Sequence, residues 1–437
     1  MTTATKYTKR SPWAWIPTLY VAEGLPYFAV NTLTVLMYVK LGISVKEMAF
    51  FTGWLYLPWV IKPFWSPFVD IFATKRAWIL AMQLLIAAAM AAVGFLLPTS
   101  FFFMSTLAVF WLMAFCSATH DIAADGYYML ELDKKQQAAY VGLRSTFYRI
   151  ASVIGQGGLV LLAGVLETRT GSVVGAWQTT FITLSVFFLA VFFWHLRMLP
   201  KAPLDQPGKE KTAAGIMREF GMTFVTYFRK PHIWSALAFM LLYRLPEALC
   251  IKMVQPFMVA PAAEGGLGLS VAQVGIANGT VGVIALLAGG IVGGLAIAHG
   301  GLRKWLWPMA LSLTLPCAFY CFMAIYQPES FVLINVAVGL EQFGYGFGFT
   351  AFMLYLMYFA EGESTTSHYA FCTAFMALGM MLPGMAAGWL WEELGGFNPF
   401  GLQGAQNYVN FFWLVLVTSL VTFGVTARIR ALLAADK

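Results

Sequence analysis

Apolar runs long enough to cross a lipid bilayer recur along almost the whole chain. A spanning helix needs about 20 predominantly apolar residues, and twelve stretches of this sequence reach that length. They lie at 13–39, 48–69, 77–97, 101–125, 138–166, 176–197, 232–259, 271–298, 304–326, 330–359, 368–391 and 407–429. Because backbone groups in lipid must be paired within the chain, the runs predict an all-α membrane protein with twelve transmembrane helices.

The composition supports lipid as the solvent for much of this surface. Of 437 residues, 60% are apolar and only 11% are charged, whereas soluble domains carry about 25% charged residues. A soluble chain of this length has no core large enough to hide so much apolar surface. The net charge of +7 lies mainly in short loops between apolar runs, where it reports topology. We therefore expect the lipid bilayer, and not a nucleic acid, as a partner.

Enzyme motifs are missing from the sequence. There is no phosphate-binding lysine loop, no His-Glu-x-x-His and no nucleophile elbow. The five cysteines all fall inside apolar runs, which favours small apolar fillers over disulfides or metal ligands. We expect no enzyme activity, no catalytic residue, no cofactor and no metal. A membrane enzyme using His120 and Asp121 and a non-transporting sensor remain the weaker alternatives.

One long polar connection divides the spans six and six. It covers 198–231, contains Pro200, Pro203 and Pro207 among mixed charges, and leaves room for an amphipathic helix near 212–229. The sequence Leu41-Gly-Ile-Ser-Val45 returns as Leu267-Gly-Leu-Ser-Val271, 226 residues later. We therefore predict two pseudo-symmetric six-helix bundles, at 1–197 and 232–437, joined by a linker at 198–231.

Lysine and arginine are distributed unequally between the two sides of the predicted membrane. If the N-terminus is cytoplasmic and residues at span ends are counted with the adjoining loops, nineteen of these residues lie on the inside and three lie outside. The other five fall within spans: Lys62, Arg144, Arg149, Arg244 and Lys252. Such a bias predicts cytoplasmic termini and a cytoplasmic linker, since positive loops stay inside.

Two acids and two arginines flank the turn after the fourth span. Asp121 and Asp125 are four residues apart and share one helix face, a charged loop is expected from Glu131 to Gln137, and Arg144 and Arg149 follow. Charged side chains within a membrane span are costly unless they pair with each other or face water. We predict that the arginines pair with the acids, either permanently or in one state of a gate.

Two further acids occupy comparable depths in the two halves. Glu23 lies in the first span and Glu247 in the seventh, and transporters built from repeats bind substrates and coupling ions near such positions. Intramembrane acids default to a functional role. We predict proton coupling by Glu23, Asp121, Asp125 and Glu247; the alternative for Glu247 is a structural pair with Arg244.

Other polar residues are candidates for lining a central cavity. Lys62 lies among prolines of the second span, where it either contacts an anion or pairs with Asp121 or Asp125. The tenth span carries further polar side chains, which either line the cavity or mediate helix packing. The candidates for substrate contact are Tyr27, Asn31, Lys62, Glu341, Gln342 and Tyr345.

The repeat and its basic loops resemble the major facilitator transporters. Lys75-Arg76 lies between spans two and three, and Arg303-Lys304 returns between spans eight and nine. Asp70 stands where the acid of that family's loop signature is found, and the second copy lacks it. The resemblance and the charged turn together give the candidate gating residues Asp70, Lys75, Arg76, Arg144, Arg149, Arg303 and Lys304.

Three motifs resemble the AmpG-type muropeptide permeases in particular. They are the second-span segment Leu57–Pro67, the fourth-span segment Ser117–Asp125 and the eleventh-span start Thr365–Ala370. The resemblance implies a monomeric, proton-coupled importer of a bulky polar solute, such as an anhydromuropeptide, in the bacterial inner membrane. His120 replaces the usual Gln, and two extra spans of well-known members are missing. The substrate therefore stays open between anhydromuropeptides, siderophores and acyl-CoA-type solutes.

Overall fold

The computed structural model describes residues 10–201, 205, 213–361, 365–396 and 407–435. Within these ranges it describes every side chain except those at 67–68, 70–71, 134–135, 137–139, 141–142, 145, 213–214, 216–217, 219–220 and 365–367. The described residues form helices and short links, and no β-strand occurs among them. The prediction of an all-α protein is confirmed.

Among the described residues, twelve long helical segments follow one another in the predicted order. They are α1 (16–40), α2 (45–72), α3 (Lys75–Leu96), α4 (Phe102–Glu131), α5 (134–170), α6 (Val173–Met198), α7 (233–259), α8 (Val271–Gly300), α9 (Leu302–Tyr326), α10 (Phe331–Ala360), α11 (Thr365–Glu393) and α12 (Asn407–Ala435). A linker helix, Ala213–Phe228, separates α6 from α7. By length and composition, nine of the described helices could cross a membrane; α1, α2 and α7 are each divided into shorter pieces.

The divisions in these segments have local causes. In α2 and α7 a new helix starts with a proline in its first turn, Pro58 and Pro246 respectively, where a missing N–H costs nothing. Wider π-helical turns interrupt α1 at Ala29–Leu33, α5 at Ile154–Gly158 and α8 at Gly275–Gly282. Such turns are frequent at functional sites, and the last two face each other between the halves of the molecule.

The repeated Leu-Gly-x-Ser-Val sequence forms the same turn twice. Gly42 and Gly268 have φ values of +82° and +63°, a left-handed conformation that glycine adopts without strain. Ser44 then caps the start of α2 and Ser270 the start of α8, each accepting a backbone N–H at 3.2 Å. The repeat therefore encodes a helix-starting turn.

The turn between α4 and α5 is shorter than predicted. The expected charged loop from Glu131 to Gln137 is wrong, because α4 continues through Glu131 and α5 begins at Lys134. Asp133 caps α5, accepting the N–H of Gln136 at 2.8 Å while its own N–H donates to the Gln136 side chain at 3.3 Å. This reciprocal capping box fixes the helix start.

The halves share an apolar core at one end of the molecule and have separate apolar cores at the other. We call α1–α6 the first bundle, α7–α12 the second bundle, the end carrying the linker helix the linker end, and the other the opposite end. One apolar cluster unites Met48 and Phe110 with Val254 and Phe412. At the linker end each bundle has its own core, listed by representative members as Trp15, Tyr127 and Leu199 in the first and Tyr227, Phe352 and Ile429 in the second.

Close contacts join the bundles at and toward the opposite end. A Cβ on Gly157 of α5 would lie 3.0 Å from the carbonyl carbon of Gly279 in α8, and a Cβ on Gly279 would overlap the backbone of Gln156. Lys46 at the start of α2 pairs with Glu392 at the end of α11 at 2.7 Å. Backbone therefore packs on backbone between α5 and α8, as small residues permit in membrane helices.

Asp205 and Lys230 are among the described residues that tie the linker to the bundles. The buried carboxylate of Asp205 accepts the backbone N–H groups of Lys75 and Arg76 at 2.6 and 2.9 Å. Lys230 donates to the carbonyl oxygens of Phe359 and Glu361 at 2.6 and 2.7 Å, and burial in this contact lowers the pKa of its ammonium. An acid thus lies at a helix N-terminus and a base at a C-terminus, as the helix dipole favours. The predicted bundle limits at 198–231 stay a prediction, since 202–204 and 206–212 lie outside the described residues.

Candidate functional site

Three carboxylates from two helices meet inside the first bundle. Glu23 comes from α1, and Asp121 and Asp125 come from successive turns of α4. One oxygen of each lies within 4.8 Å of the others. The four-residue spacing places both aspartates on one face, as predicted.

Two cations enter the same space from other helices. Lys62 of α2 forms an ion pair with Asp121, and Arg144 of α5 lies 2.6 Å from Asp125. This confirms the alternative in which Lys62 pairs with one of the aspartates, and the predicted pairing of Arg144. We call Glu23, Lys62, Asp121, Asp125 and Arg144 the charge cluster.

Tyr20 of α1 contacts Asp125 and Arg144 of the charge cluster. Its hydroxyl donates to Asp125 at 3.4 Å, and the guanidinium of Arg144 lies 4.8 Å from its ring centroid. A cation above an aromatic face is attracted to it. Tyr20 was not among the predicted site residues, because an aromatic residue in an apolar run gives no sign of its partners.

Arg149 does not join the charge cluster. Its side chain is exposed, and within the described ranges it makes no ion pair. The predicted pairing of Arg149 with the aspartates is therefore wrong. Arg144 and Arg149 are five residues apart, which separates their directions by about 140° around the helix.

Glu23 is the least satisfied member of the charge cluster. It is 7% exposed, and its Oε2 atom is buried without a hydrogen-bond partner among the described residues. A Cβ on the adjacent Gly24 would lie 2.7 Å from the Cβ of Ala151, so α5 packs tightly beside Glu23. Two cations are shared by three acids, and one added proton would balance the charge.

A metal ion is a poor fit for this space. Three carboxylates at this separation could ligate a cation. However, the lysine ammonium and the arginine guanidinium already occupy the sides of Asp121 and Asp125. Protein cations therefore fill the role that a metal would have, and the remaining capacity fits a proton.

The second bundle carries a closed ion pair. Arg244 donates to both carboxylate oxygens of Glu247, at 2.7 and 3.0 Å, and to the Tyr345 hydroxyl at 2.6 Å. Both charged residues are buried, and the guanidinium lies 4.6 Å from the ring centroid of Phe349. The structural alternative for Glu247 is thus observed, and its predicted proton coupling remains untested.

Glu341 of α10 is held by neutral donors. The Tyr320 hydroxyl donates to Glu341 at 3.0 Å and the Gln342 amide at 2.8 Å. Tyr345, predicted beside it, turns instead to Arg244. Glu341 and Gln342 are therefore brought together, while Tyr345 belongs to the other polar group of the bundle.

Aromatic and polar side chains of the first bundle approach the interface between the bundles. The hydroxyl of Tyr27 lies 3.5 Å from that of Tyr56. The ring of Tyr27 packs edge-on against Trp59, with 5.1 Å between the ring centroids. Asn31 donates to the Tyr27 carbonyl at 3.0 Å, and its own oxygen is buried and unpartnered in the described structure. Lys252 of α7, which sequence reasoning placed in a span without a role, donates to Thr52 of α2 at 3.2 Å.

His120 belongs to a separate buried network. It is fully buried and lies 3.0 Å from the Gln83 amide nitrogen, which also contacts His195 at 2.8 Å. His195 continues to Thr18 at 2.8 Å. Because Asp121 pairs with Lys62 instead, His120 and Asp121 do not form an acid–base pair.

The basic residues predicted to act in gating have different surroundings. Arg76 donates to the carbonyl oxygens of Leu196 and Leu199 at 2.7 and 3.0 Å, so its contacts stay beside its own bundle. The stem of Lys75 packs against Gly126. Arg303 and Lys304 are exposed and make no ion pair in the part of the chain that the structure describes. The side chain of Asp70 lies outside the described residues.

Comparison with known proteins agrees with this architecture. An anhydromuropeptide permease of Escherichia coli is 28% identical over 409 residues, covering 91% of this chain and 77% of the relative. A transporter named AmpG 4 of Rickettsia conorii is 23% identical, covering 82% of this chain and 85% of the relative. The predicted resemblance to AmpG-type permeases is confirmed, and the membrane-enzyme alternative is not supported.

Solved structures and the family match identify the fold. A crystal structure of a bacterial homologue of the human lysosomal transporter Spinster, described as inward-facing and unoccupied, superimposes with a TM-score of 0.72. It is 14% identical, with 96% of both chains covered, which supports a shared fold. The sequence itself matches the Major Facilitator Superfamily over residues 18–382. The chain is therefore a multi-pass membrane transporter that belongs to the Major Facilitator Superfamily.

Proposed function

We propose that this transporter imports anhydromuropeptides, or a similar bulky polar solute, together with protons across the bacterial inner membrane. The observation that carries the proton-coupling proposal is the charge cluster, in which Glu23 has a buried oxygen without a described partner. The muropeptide part rests on the similarity to the E. coli permease. One chain supplies both helical bundles and the interface between them, so a single chain is proposed as the transport unit.

The charge cluster supports the proton part of this proposal. Ionised carboxylates in a membrane interior are expensive unless paired, and three of them share two cations here. A proton on Glu23 relieves the excess negative charge, and its loss restores it. Such a group can respond to a proton gradient, whereas a fully paired acid resists the change.

The proposed orientation in the membrane follows from the unequal distribution of lysine and arginine between the two sides. We propose that the linker end faces the cytoplasm, because nineteen basic residues lie on that side of the predicted topology. The separate cores at the linker end and the shared core at the opposite end then correspond to a state open to the cytoplasm. Because Arg144 and Asp125 are paired in this structure, we propose that the pair is present in the state open to the cytoplasm.

The interface between the bundles supports a polar, ring-containing solute. Tyr27 and Trp59 offer ring faces and edges, and Asn31 offers a buried carbonyl oxygen without a described donor. Aromatic rings and a few placed polar groups are typical of small-molecule sites. We propose Tyr27, Asn31 and Trp59 as solute contacts, and Arg144 as the residue that keeps Asp125 in place.

The direct test is uptake by purified protein in liposomes. Labelled anhydromuropeptide should accumulate inside when a proton gradient is imposed and should only equilibrate without one. A siderophore and an acyl-CoA compound are run in parallel as competitors. Accumulation without a gradient, or of the competitors in place of the muropeptide, would contradict the coupling or the solute, respectively.

A further inference from the structure

Lys252 is a buried cation that belongs neither to the charge cluster nor to the Arg244–Glu247 pair. It lies in α7 and is 2% exposed. Of the other four cations within the predicted spans, Arg149 is exposed and three have carboxylate partners: Lys62, Arg144 and Arg244. In the described part of the chain, no carboxylate oxygen lies within 4.0 Å of the Lys252 ammonium.

The contacts of the Lys252 ammonium are neutral and incomplete. Thr52 accepts one of its protons at 3.2 Å, and the ring centroid of Tyr56 lies 5.4 Å away. The hydroxyl of Thr52 in turn donates to the Met48 carbonyl at 2.7 Å. Since an ammonium group has three N–H donors, the described residues satisfy only part of its capacity. A charge buried with so little compensation is costly.

The surroundings of Lys252 place it between the bundles. Thr52 and Tyr56 belong to α2 of the first bundle, and a Cβ on Gly384 of α11 would lie 3.3 Å from the Cγ atom of Lys252. Gln255, one turn further along α7, is 5% exposed and has a buried Oε1 atom without a described partner. A buried positive charge with one described hydrogen bond and a buried amide oxygen without a described partner thus lie three residues apart on α7.

We propose that Lys252 is a binding site for an oxyanion of the transported solute, a carboxylate or a phosphate. The inference rests on the proposed transport function and narrows its solute to anions. An oxyanion can satisfy the N–H donors that Thr52 leaves free. A hydrogen bond from an ammonium to an oxyanion is stronger than one from an ammonium to a hydroxyl, because both partners are charged. A muropeptide offers the carboxylates of its peptide, whereas an acyl-CoA compound offers phosphates.

The test compares anions with their neutralised forms on purified protein in detergent. Calorimetry measures the affinity of an anhydromuropeptide and its methyl ester, and of an acyl-CoA compound and a form lacking phosphates. The wild-type protein should bind the preferred anion about tenfold more tightly than its neutral form. Lys252→Met should remove this preference and Lys252→Arg should keep it. Lys40→Met is the control, since Lys40 pairs with Glu167 within the first bundle at 2.8 Å.

The possible outcomes separate this inference from the proposed solute. If the acyl-CoA compound alone is bound and Lys252→Met removes its advantage, the muropeptide proposal fails and the anion site stands. If the Lys252→Met protein keeps the wild-type preference, the anion site is overturned. It is also overturned if the wild-type protein binds neutral forms as tightly as anions, or binds none of the anions. The comparison of anions with their neutral forms on the wild-type protein needs no variant, so it tests the anion site even if Lys252→Met fails to fold.

Discussion

Glu23 and Glu247 lie 224 residues apart in the two bundles, but their surroundings are different. Glu247 receives two hydrogen bonds from Arg244, and this pair carries no net charge. Glu23 lies beside two aspartates that pair with Lys62 and Arg144, and it keeps one buried oxygen without a described partner. The duplicated fold therefore holds one satisfied acid and one unsatisfied acid.

The difference separates stability from response to protons. A paired acid such as Glu247 loses its partner's charge compensation when it is protonated, so protonation is opposed. An acid in a site with excess negative charge gains from protonation. We infer that the second bundle uses its acid to hold α7 in place and that the first bundle uses Glu23 to exchange protons.

The largest effect on stability is expected from breaking the satisfied pair. Arg244→Met leaves Glu247 buried without a cation, and removing one partner of a buried pair costs about 3–5 kcal/mol. The double variant Arg244→Met/Glu247→Leu should recover most of this loss, because no unpaired charge remains. Thermal unfolding in detergent measures both; a single variant as stable as the wild type would contradict the structural role.

The first bundle should respond in transport more than in stability. Arg144→Gln removes the cation from Asp125 and increases the excess negative charge, and Asp125→Asn removes the acid itself. Each should lower proton-driven uptake about tenfold or more while the folded protein remains in the membrane. Arg149→Gln is the matched control on the same helix, since Arg149 is exposed. Equal loss in the Arg149 variant would argue against a specific role for the charge cluster.

The contact between α5 and α8 tests whether both bundles move. Gly279→Val places a side chain where the backbone of Gln156 lies, so the bundles cannot approach and transport should be lost. Gly294→Val in the same helix is the control, because nothing lies within 4 Å of its Cβ position. Labelling of a cysteine placed at Lys46 should increase in the Gly279 variant alone. Unchanged labelling would show that this contact does not control the opposite end.

The smallest effect is expected at the pair between Lys46 and Glu392. Their side chains are 48% and 52% exposed, and exposed ion pairs contribute little to stability because water and salt screen them. Lys46→Gln should change the melting temperature only slightly, and high salt should remove the difference. A large, salt-independent loss would show that this pair carries more of the contact than its exposure indicates.

Much of the fold could be predicted because each span needs a long apolar run. The twelve segments were all recognised from length, but helix ends were not, since capping by Asp133 extends α5 beyond its apolar part. The same limit explains Asp205, a polar linker residue whose position at the start of α3 depends on the folded chain.

The members of the charge cluster could be predicted more easily than their pairing. Acidic and basic residues stand out in apolar runs because placing a charge inside a membrane costs free energy. This cost pointed to Glu23, Lys62 and Asp121. Which cation reaches which acid depends on helix rotation and packing, so two alternatives for Lys62 remained open. Arg149 was assigned wrongly although the helical period alone separates it from Arg144. Lys252 was visible in its span, but the absence of a carboxylate around it could only be seen in the structure.

The most direct test of the account is gradient-driven accumulation by a Glu23→Gln variant in liposomes. Glutamine imitates the protonated acid and cannot release the proton. The account predicts that this variant binds the solute and exchanges it between equal pools, but does not accumulate it when a proton gradient is imposed, while Glu23→Asp retains partial accumulation. Full proton-driven accumulation by Glu23→Gln would contradict the account and would move the proton to Asp121.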